Sequence, residues 1–229
     1  MSCVLFLNNS NIINLINNKI SSKIKTKVMK KIRFSRKLSM LIATMLLCSQ
    51  VFSQEKTYKV GDLYENENTK GVVFAINESG THGKIISVDE TVAPWVAFVG
   101  AAYIRLGAVK DEVEGSKNMK IIMNASAWQE TYTAAFWCYK HGEKWYLPSA
   151  SELQLIFANR DVLNQTLTSV EDADEIFPPK PPKGAEVYLS SNESSTTYGQ
   201  IISAVKKNGK VDNQYLKTWT GRVRAVCKF

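Results

Sequence analysis

The sequence predicts an α+β fold, a single domain in which strands at both ends flank two central helices. Near the start of this domain, residues 71–76 and 83–88 are short β-branched runs separated by turn-forming residues, as in a hairpin. Apolar side chains then recur at helical spacing between residues 126 and 170. Strand-like runs return from residue 187 onward. Strands that flank central helices are typical of the α+β class.

The excess of basic charge lies in the first 53 residues. The whole chain has 29 Lys and Arg against 21 Asp and Glu, and nine of the basic residues but none of the acidic ones precede residue 54. The rest of the chain is therefore close to neutral. Because a neutral domain lacks the basic patch that binds a phosphate backbone, we expect no nucleic acid partner.

Residues 29–53 read as a bacterial secretory signal peptide. A basic segment after Met29 is followed by an apolar run of about ten residues and a short polar segment. Val51 and Ser53 suit the signal peptidase site, so cleavage is expected before Gln54. The apolar run is too short to cross a membrane, which takes about 20 residues. Residues 1–28 are interpreted as upstream sequence read through from a wrongly chosen start at Met1.

The predicted destination is outside the cytoplasm, in the periplasm, on the outer surface or in the medium. Cys48 leaves a lipoprotein as the less favoured alternative, because a lipid-modified cysteine also follows an apolar run. Leu46 and Leu47, however, occupy positions that usually hold small residues in such proteins. We therefore expect an exported domain, residues 54–229, without a membrane span.

Two cysteines, Cys138 and Cys227, remain after the leader is removed. Disulfides persist in the compartments that exported proteins reach, and two cysteines have one possible pairing. Such a bond would close a loop of about 90 residues and stabilise the fold by roughly 4–5 kcal/mol. The alternative is two separate buried thiols, because a free cysteine packs as a small hydrophobic side chain.

The first helix is predicted after a stretch without regular structure. Residues 89–122 contain scattered apolar side chains but no clean period, so we predict irregular structure there. Ser126 and Gln129 form the pattern of a capping box, which places the start of a helix at Ser126. Residues 140–142, Lys-His-Gly, suit the last turn and the end of that helix.

The second helix follows a short predicted strand, residues 144–147. Ser149 and Glu152 form another capping-box pattern. The apolar stripe in residues 153–160 indicates an amphipathic helix, and residues 161–170 are expected to add a further helical piece. Both helices are therefore expected to pack on the predicted strands.

The C-terminal part is predicted to begin with a surface loop, residues 171–184, because its prolines exclude helix and central strand. Residues 187–190 and 199–206 read as strands, and Asn208-Gly209 suits a hairpin turn. Residues 222–229 alternate apolar and basic side chains, which predicts a last strand with one face buried.

Three sequence blocks resemble a known family. Residues 145–153, 188–193 and 222–226 are similar to the W-R-L-P-T-x-x-E-L, Y-W-S-S-T-E and V-R-C-V-R blocks of a bacterial domain family of largely unknown function. That family occurs in exported proteins, including collagen-like adhesins and fimbrillin-associated proteins, and the resemblance covers roughly residues 58–229. It implies a C-type lectin-like fold, a mixed sheet flanked by two helices. A disulfide from the first helix to the last strand, here Cys138 to Cys227, is implied as well.

The resemblance extends to formylglycine-generating oxidases, which share this fold. Their chemistry needs a reactive cysteine pair near the end of the chain, where this chain has Cys227 alone. His82 and His141 lack partners at metal-ligand spacing, and Glu152 is explained by its capping box. We therefore expect no catalytic residues, no metal and no cofactor.

Four side chains are candidates for ligand contact. Two tryptophans lie in irregular segments and suit exposed stacking surfaces, and two arginines are expected on the outer face of the last strand: Trp95, Trp219, Arg222 and Arg224. The function we expect is a non-catalytic module that recognises a surface protein or glycan. The alternative is a structural or assembly subunit of a surface appendage, and a diverged oxidase is third.

Overall fold

The computed structural model describes residues 17–32, 55–66, 68–98, 100, 106–107, 111, 113–178, 180–181, 186–203 and 209–229. The chain divides into two compact units, Met1–Gln54 and Glu55–Phe229. In the first unit, residues 17–32 are helical and exposed. Among the described residues, no helix is long and apolar enough to cross a membrane. The predicted cleavage site and Cys48 lie outside the described residues, so the signal peptide stays a prediction.

The second unit contains two β-sheets. The first sheet is antiparallel, with the strand order β1-β2-β3-β9. Its strands are β1 (Leu63–Asn66), β2 (Thr69–Ile76), β3 (Gly83–Ile86) and β9 (Val226–Lys228). The pairing of β2 with β3 confirms the first predicted hairpin.

The second sheet is mixed, because β5 pairs with β8 in parallel and the other pairs are antiparallel. Its strands are β4 (Thr91–Pro94), β5 (Val187–Glu193), β6 (Tyr198–Ser203), β7 (Val211–Leu216) and β8 (Thr220–Val223). Their order is β4-β8-β5-β6-β7. This sheet carries most of the predicted C-terminal strands, and Asn208 of the predicted turn lies outside the described residues.

Helices cover both sheets around one core. They are α1 (Gly115–Met123), α2 (Trp128–Thr131), α3 (Thr133–Tyr139), α4 (Ala150–Ala158) and α5 (Arg160–Leu167). Helix α4 contacts β2 of the first sheet and both β5 and β6 of the second. Buried side chains from both sheets and from α1, α3, α4 and α5 form a continuous apolar cluster, and Trp128 of α2 packs against it. The predicted α+β class is confirmed.

The capping box at the start of α4 is also confirmed. The Ser149 hydroxyl accepts from the Glu152 backbone N–H at 3.2 Å, and the Glu152 carboxylate accepts from the Ser149 backbone N–H at 2.8 Å. The same carboxylate accepts from Tyr146 Oη, Lys84 Nζ and the Gly115 N–H. Glu152 therefore ties α4 to α1 and β3.

The prediction of irregular structure for residues 89–122 is wrong, because this stretch contains β4 and α1. Helix α1 buries Gly115, Asn118, Met119 and Ile122. Asn118 is buried as a hydrogen-bonding side chain, donating to Ser191 Oγ at 2.9 Å. Because the buried face of α1 includes a glycine and an asparagine, it lacks the regular spacing of apolar residues by which a helix is recognised in a sequence.

The predicted capping box at Ser126 is wrong. The first helical turn begins at Trp128, and its N-cap is Ala127, which has a φ of 49° and no side-chain cap. The helix is then interrupted at Tyr132, which has a φ of −103° and a ψ of 72° and is buried. The Thr131 carbonyl, just before this break, accepts from the Ala97 N–H at 2.8 Å. A tertiary hydrogen bond thus accompanies the break between α2 and α3.

Candidate binding cleft

An open polar cleft lies on the second sheet where β5, β6 and β7 meet. Its volume is about 520 Å³, within the usual range of small-ligand sites. Amide, hydroxyl and carboxylate side chains line it: Asn192, Glu193, Ser194, Ser195, Tyr198, Gln200, Asn213 and Gln214. The lining is thus rich in hydrogen-bonding groups and carries one acidic side chain.

A bulge in β7 brings two consecutive side chains to the cleft. Gly199 is opposite Tyr215, whereas Ile201 is opposite Asp212, so β7 has one residue more than β6 between these pairs. Consecutive side chains of a regular strand point to opposite faces, but a bulge re-aims them. Asn213 and Gln214 therefore both line the cleft.

The turn after β5 is held by its own hydroxyl groups. Ser194 Oγ donates to the Asn213 carbonyl at 2.6 Å, and Ser195 Oγ accepts from the Tyr198 N–H at 3.0 Å. Gln200 Oε1 differs from these groups, because it is buried and has no hydrogen-bond partner in the structure. A buried amide oxygen without a partner costs free energy.

The charge of the one acidic side chain that lines the cleft is balanced by a buried lysine. Glu193 is buried and pairs with the buried Lys217 ammonium. Its carboxylate also accepts from the Leu106 and Gly107 backbone N–H groups, at 3.2 and 3.1 Å. Since the charge of Glu193 is balanced inside the protein, the cleft suits a neutral hydrogen-bonding ligand better than a cation.

Trp219 is exposed, as predicted. Its side chain is 53% exposed, and its ring packs edge-to-face on Tyr215 at a centroid distance of 5.3 Å. Tyr215 is paired with Gly199, so its side chain points to the face of the sheet opposite to that of the cleft residue Tyr198. Trp219 follows β7 and is not among the residues that line the cleft. The exposed indole is therefore a feature separate from the cleft.

The prediction of an exposed Trp95 is wrong. Its side chain is 3% exposed, Nε1 donates to the Ser190 carbonyl at 2.9 Å, and the ring packs edge-to-face on Tyr132. The Lys217 ammonium also lies 4.9 Å from the ring centroid. Trp95 is therefore part of the core beneath the cleft, and its indole N–H is already satisfied.

Arg222 and Arg224 are buried, although the alternation of side chains in the predicted last strand placed both of them in solvent. Arg224 is completely buried and donates to Glu90 Oε2 at 3.0 Å and to the Ser87 and Asp174 carbonyls, both at 2.8 Å. Arg222 is 8% exposed and also pairs with Glu90.

The physical reason is that the predicted last strand divides between the two sheets. Strand β8 ends at Val223 in the second sheet, and β9 begins at Val226 in the first. Arg224 lies at this crossing, where neither face of the chain meets solvent. Glu90 is the missed partner, and nothing in its local sequence indicates a buried carboxylate.

Cys138 and Cys227 are buried free thiols in the structure. Burial raises the pKa of Cys138 well above its ordinary value and that of Cys227 to about 11. Both thiols are therefore protonated near neutral pH in this state, and a thiolate nucleophile is not available. The Cys138–Cys227 disulfide is not present in the structure and stays a prediction for the exported protein.

His141 makes an ion pair that the sequence did not reveal. Its Nε2 lies 3.0 Å from Asp89 Oδ1, and its Nδ1 lies 3.1 Å from the Trp137 carbonyl oxygen. Both ring nitrogens face acceptors, which only a protonated imidazole can satisfy by donating twice. Within the part of the chain that the structure describes, no cluster of His, Cys, Asp and Glu could hold a metal ion.

Comparison with known proteins shows a likeness of fold. A scan against models of protein families found no match, and a search of curated proteins found none either. Among solved structures, the chain is similar to a fimbrial protein from Bacteroides ovatus, with a TM-score of 0.52 and 15% sequence identity. The similarity covers 75% of this chain and 49% of the fimbrial protein, so the chain spans about half of that protein's length.

At this identity the likeness shows the fold alone. It is consistent with the part of the sequence resemblance that pointed to fimbrillin-associated proteins. The specific family of the three sequence blocks and the C-type lectin-like fold stay predictions.

Proposed function

We propose that this protein is an exported structural or assembly subunit of a bacterial surface appendage. The observation that carries the proposal is the likeness of its fold to a fimbrial protein over 75% of the chain. The predicted signal peptide supports the same location, since appendage subunits must leave the cytoplasm. The proposal assigns no catalytic residue, and both buried thiols are unsuited to oxidase chemistry.

Fractionation of the source bacterium tests this proposal. Surface appendages are sheared from intact cells, and the protein is quantified in the sheared, periplasmic and cytoplasmic fractions with an antibody and a cytoplasmic marker enzyme. We expect the protein in the sheared fraction, at a constant ratio to another appendage subunit and beginning at Gln54. A protein that stays with the cytoplasmic marker, or that copurifies with no subunit, contradicts the proposal.

A second function, binding of a surface glycan or protein, is favoured by the polar cleft. The cleft offers the exposed amide groups of Asn213 and Gln214 and a neutralised Glu193. Hydroxyl groups of an uncharged saccharide would donate to the amide oxygens and accept from the amide N–H groups. The chemistry of the lining thus favours a neutral, hydroxyl-rich ligand.

A glycan array compares the wild-type protein with Gln214→Ala, in the exposed lining of the cleft, and with a control, Phe98→Ala. Phe98 is also exposed, at 55%, but does not line the cleft. We expect saturable binding that weakens about tenfold in Gln214→Ala, which removes hydrogen bonds to the ligand, and stays unchanged in Phe98→Ala. Absence of saturable binding, or equal binding by both variants, contradicts this second function and leaves the appendage proposal intact.

A further inference from the structure

A separate apolar groove lies between α1, residues 143–146 and the end of β9. Its volume is about 250 Å³, below the usual range for a whole small-molecule site. The groove is lined by Ser116, Met119, Lys120, Met123, Glu143, Lys144, Trp145, Tyr146 and Lys228. A groove of this size suits one bulky side chain of a larger partner.

The floor of the groove is apolar and adaptable. Met119 and Met123 are four residues apart and therefore lie on one face of α1. Trp145 and Tyr146 form the opposite side and are almost completely buried. Methionine side chains fill irregular spaces and favour contacts with aromatic rings. The floor can thus accept an aromatic or branched aliphatic side chain.

The rim of the groove is basic. Lys120, Lys144 and Lys228 are exposed, and Glu143 is the one acidic lining residue. Lys228 is paired with Glu114 at 3.0 Å. The charge of this rim contrasts with the near-neutral balance of residues 54–229. Charge complementarity therefore selects an acidic occupant.

The backbone of β9 also faces the groove. Phe229 exchanges hydrogen bonds with Gly83 on the β3 side, whereas Val226 exchanges them with Tyr146 on the other side. Because N–H and C=O groups alternate between the two edges of a strand, those of Lys228 point to the same side as those of Val226. An extended chain in the groove would find a main-chain N–H there, and a carbonyl that Cys227 Sγ also contacts at 3.3 Å.

We propose that this groove binds an extended segment of another protein, with a bulky apolar side chain flanked by acidic residues. The apolar side chain enters between Met119, Met123 and Trp145, and the acidic residues meet Lys120 and Lys144. The proposal goes beyond the appendage function and does not depend on the polar cleft, because the groove lies against the other sheet.

Selection from a phage-displayed library of random peptides tests the proposal. The purified protein is the target, and the double variant Lys120→Glu/Lys144→Glu is compared with the control Lys70→Glu/Lys210→Glu. All four lysines are exposed and both variants change the net charge equally, while Lys70 and Lys210 lie outside the groove. Thermal unfolding checks that each variant is folded.

We expect selected peptides to combine acidic residues with an aromatic or branched aliphatic residue. Their affinity should fall about tenfold in the groove variant and stay near wild type in the control, and the difference should shrink in about 1 M salt, where charges are screened. Peptides without acidic residues, equal loss in both variants, or no enrichment would overturn the proposal. So would a dimer of this protein, seen by analytical ultracentrifugation, that only the groove variant abolishes.

Discussion

Carboxylates with almost completely buried side chains are paired with Lys or Arg inside the domain. In the described residues, these pairs are Glu90 with Arg222 and Arg224, Glu152 with Lys84, and Glu193 with Lys217. Each pair joins segments that are distant in the sequence. Removing one member of a buried pair leaves the other charge uncompensated, which costs about 3–5 kcal/mol. These residues therefore matter for stability more than for ligand contact.

Arg224→Met should lower the free energy of unfolding by about 1–3 kcal/mol, because the Ser87 and Asp174 carbonyls lose their donor in a buried site. Glu90 also loses this donor but keeps Arg222 and Tyr188 as partners. Urea unfolding followed by tryptophan fluorescence measures the loss. The control Lys70→Met removes an exposed pair with Glu65 and should cost less than about 1 kcal/mol. Similar small losses of unfolding free energy in both variants would show that the buried Arg224 contributes little to stability.

The pair of His141 and Asp89 makes stability depend on pH. Burial alone would lower the pKa of His141, but the hydrogen bond and charge of Asp89 raise it above its ordinary value. The hydrogen bond from His141 lowers the pKa of Asp89, against the effect of burial. The stabilisation by His141 is complete below its unfolded pKa and is lost as pH rises through its folded pKa. The stabilisation by Asp89 is present above its unfolded pKa and is lost as pH falls through its folded pKa.

The wild-type protein should lose stability as the pH rises above about 6.5, the ordinary pKa of histidine, and His141→Gln should not show this loss. The difference between the two proteins should not exceed about 1 kcal/mol, because the Asp89 side chain is 48% exposed. Urea unfolding below and above this pH measures it. Asp89→Asn should behave like His141→Gln, and a wild-type slope that survives in both variants would assign the titration to other groups.

The sequence predicted those helices and strands whose hydrogen bonds join residues close together in the chain. The capping box of α4 joins Ser149 to a residue three positions away, and the hairpin of β2 and β3 is closed by a short turn. The capping-box pattern at Ser126 did not predict the helix start, because the backbone around Tyr132 is held by hydrogen bonds to residues far away in the sequence. Thr133 Oγ1, for example, donates to the Pro94 carbonyl at 2.6 Å.

Ser149→Ala should reduce the free energy of unfolding by about 0.5–2 kcal/mol, because the Glu152 N–H loses its acceptor. Ser126→Ala is a matched control, since Ser126 belongs to the same sequence pattern but provides no cap. It should change stability by less than about 0.5 kcal/mol. Chemical denaturation of the two variants side by side gives the comparison. An equal cost at both positions would contradict the assignment of the N-caps.

At the scale of the whole molecule, two sheets share one core, and the C-terminal strands close both of them. Strand β8 belongs to the second sheet and β9 to the first, so the last residues of the domain connect the two sheets. Cys227 lies on β9 and Cys138 on α3, both in the shared core. A disulfide between them would link a helix of the domain to its closing strand.

We expect this disulfide in the protein purified from the exported fraction. Alkylation in denaturant without reductant should leave both cysteines unmodified, and reduction should lower the free energy of unfolding by up to roughly 4–5 kcal/mol. Mass spectrometry reads the alkylation directly. Cys138→Ser is the control, because its remaining Cys227 must become reactive in denaturant. Two alkylated cysteines in the wild-type protein would instead establish the pair of buried thiols.

The sequence by itself determined the α+β class, the first hairpin and the helix that begins after Ser149. Each follows from residues close together in the chain, where turn, cap and periodicity signals operate. Only the tertiary structure decided that Trp95, Arg222 and Arg224 are buried and that a β7 bulge aligns two amides in a cleft. Whether a side chain meets water or a partner depends on segments far away in sequence, such as the one that brings Glu90 to Arg224.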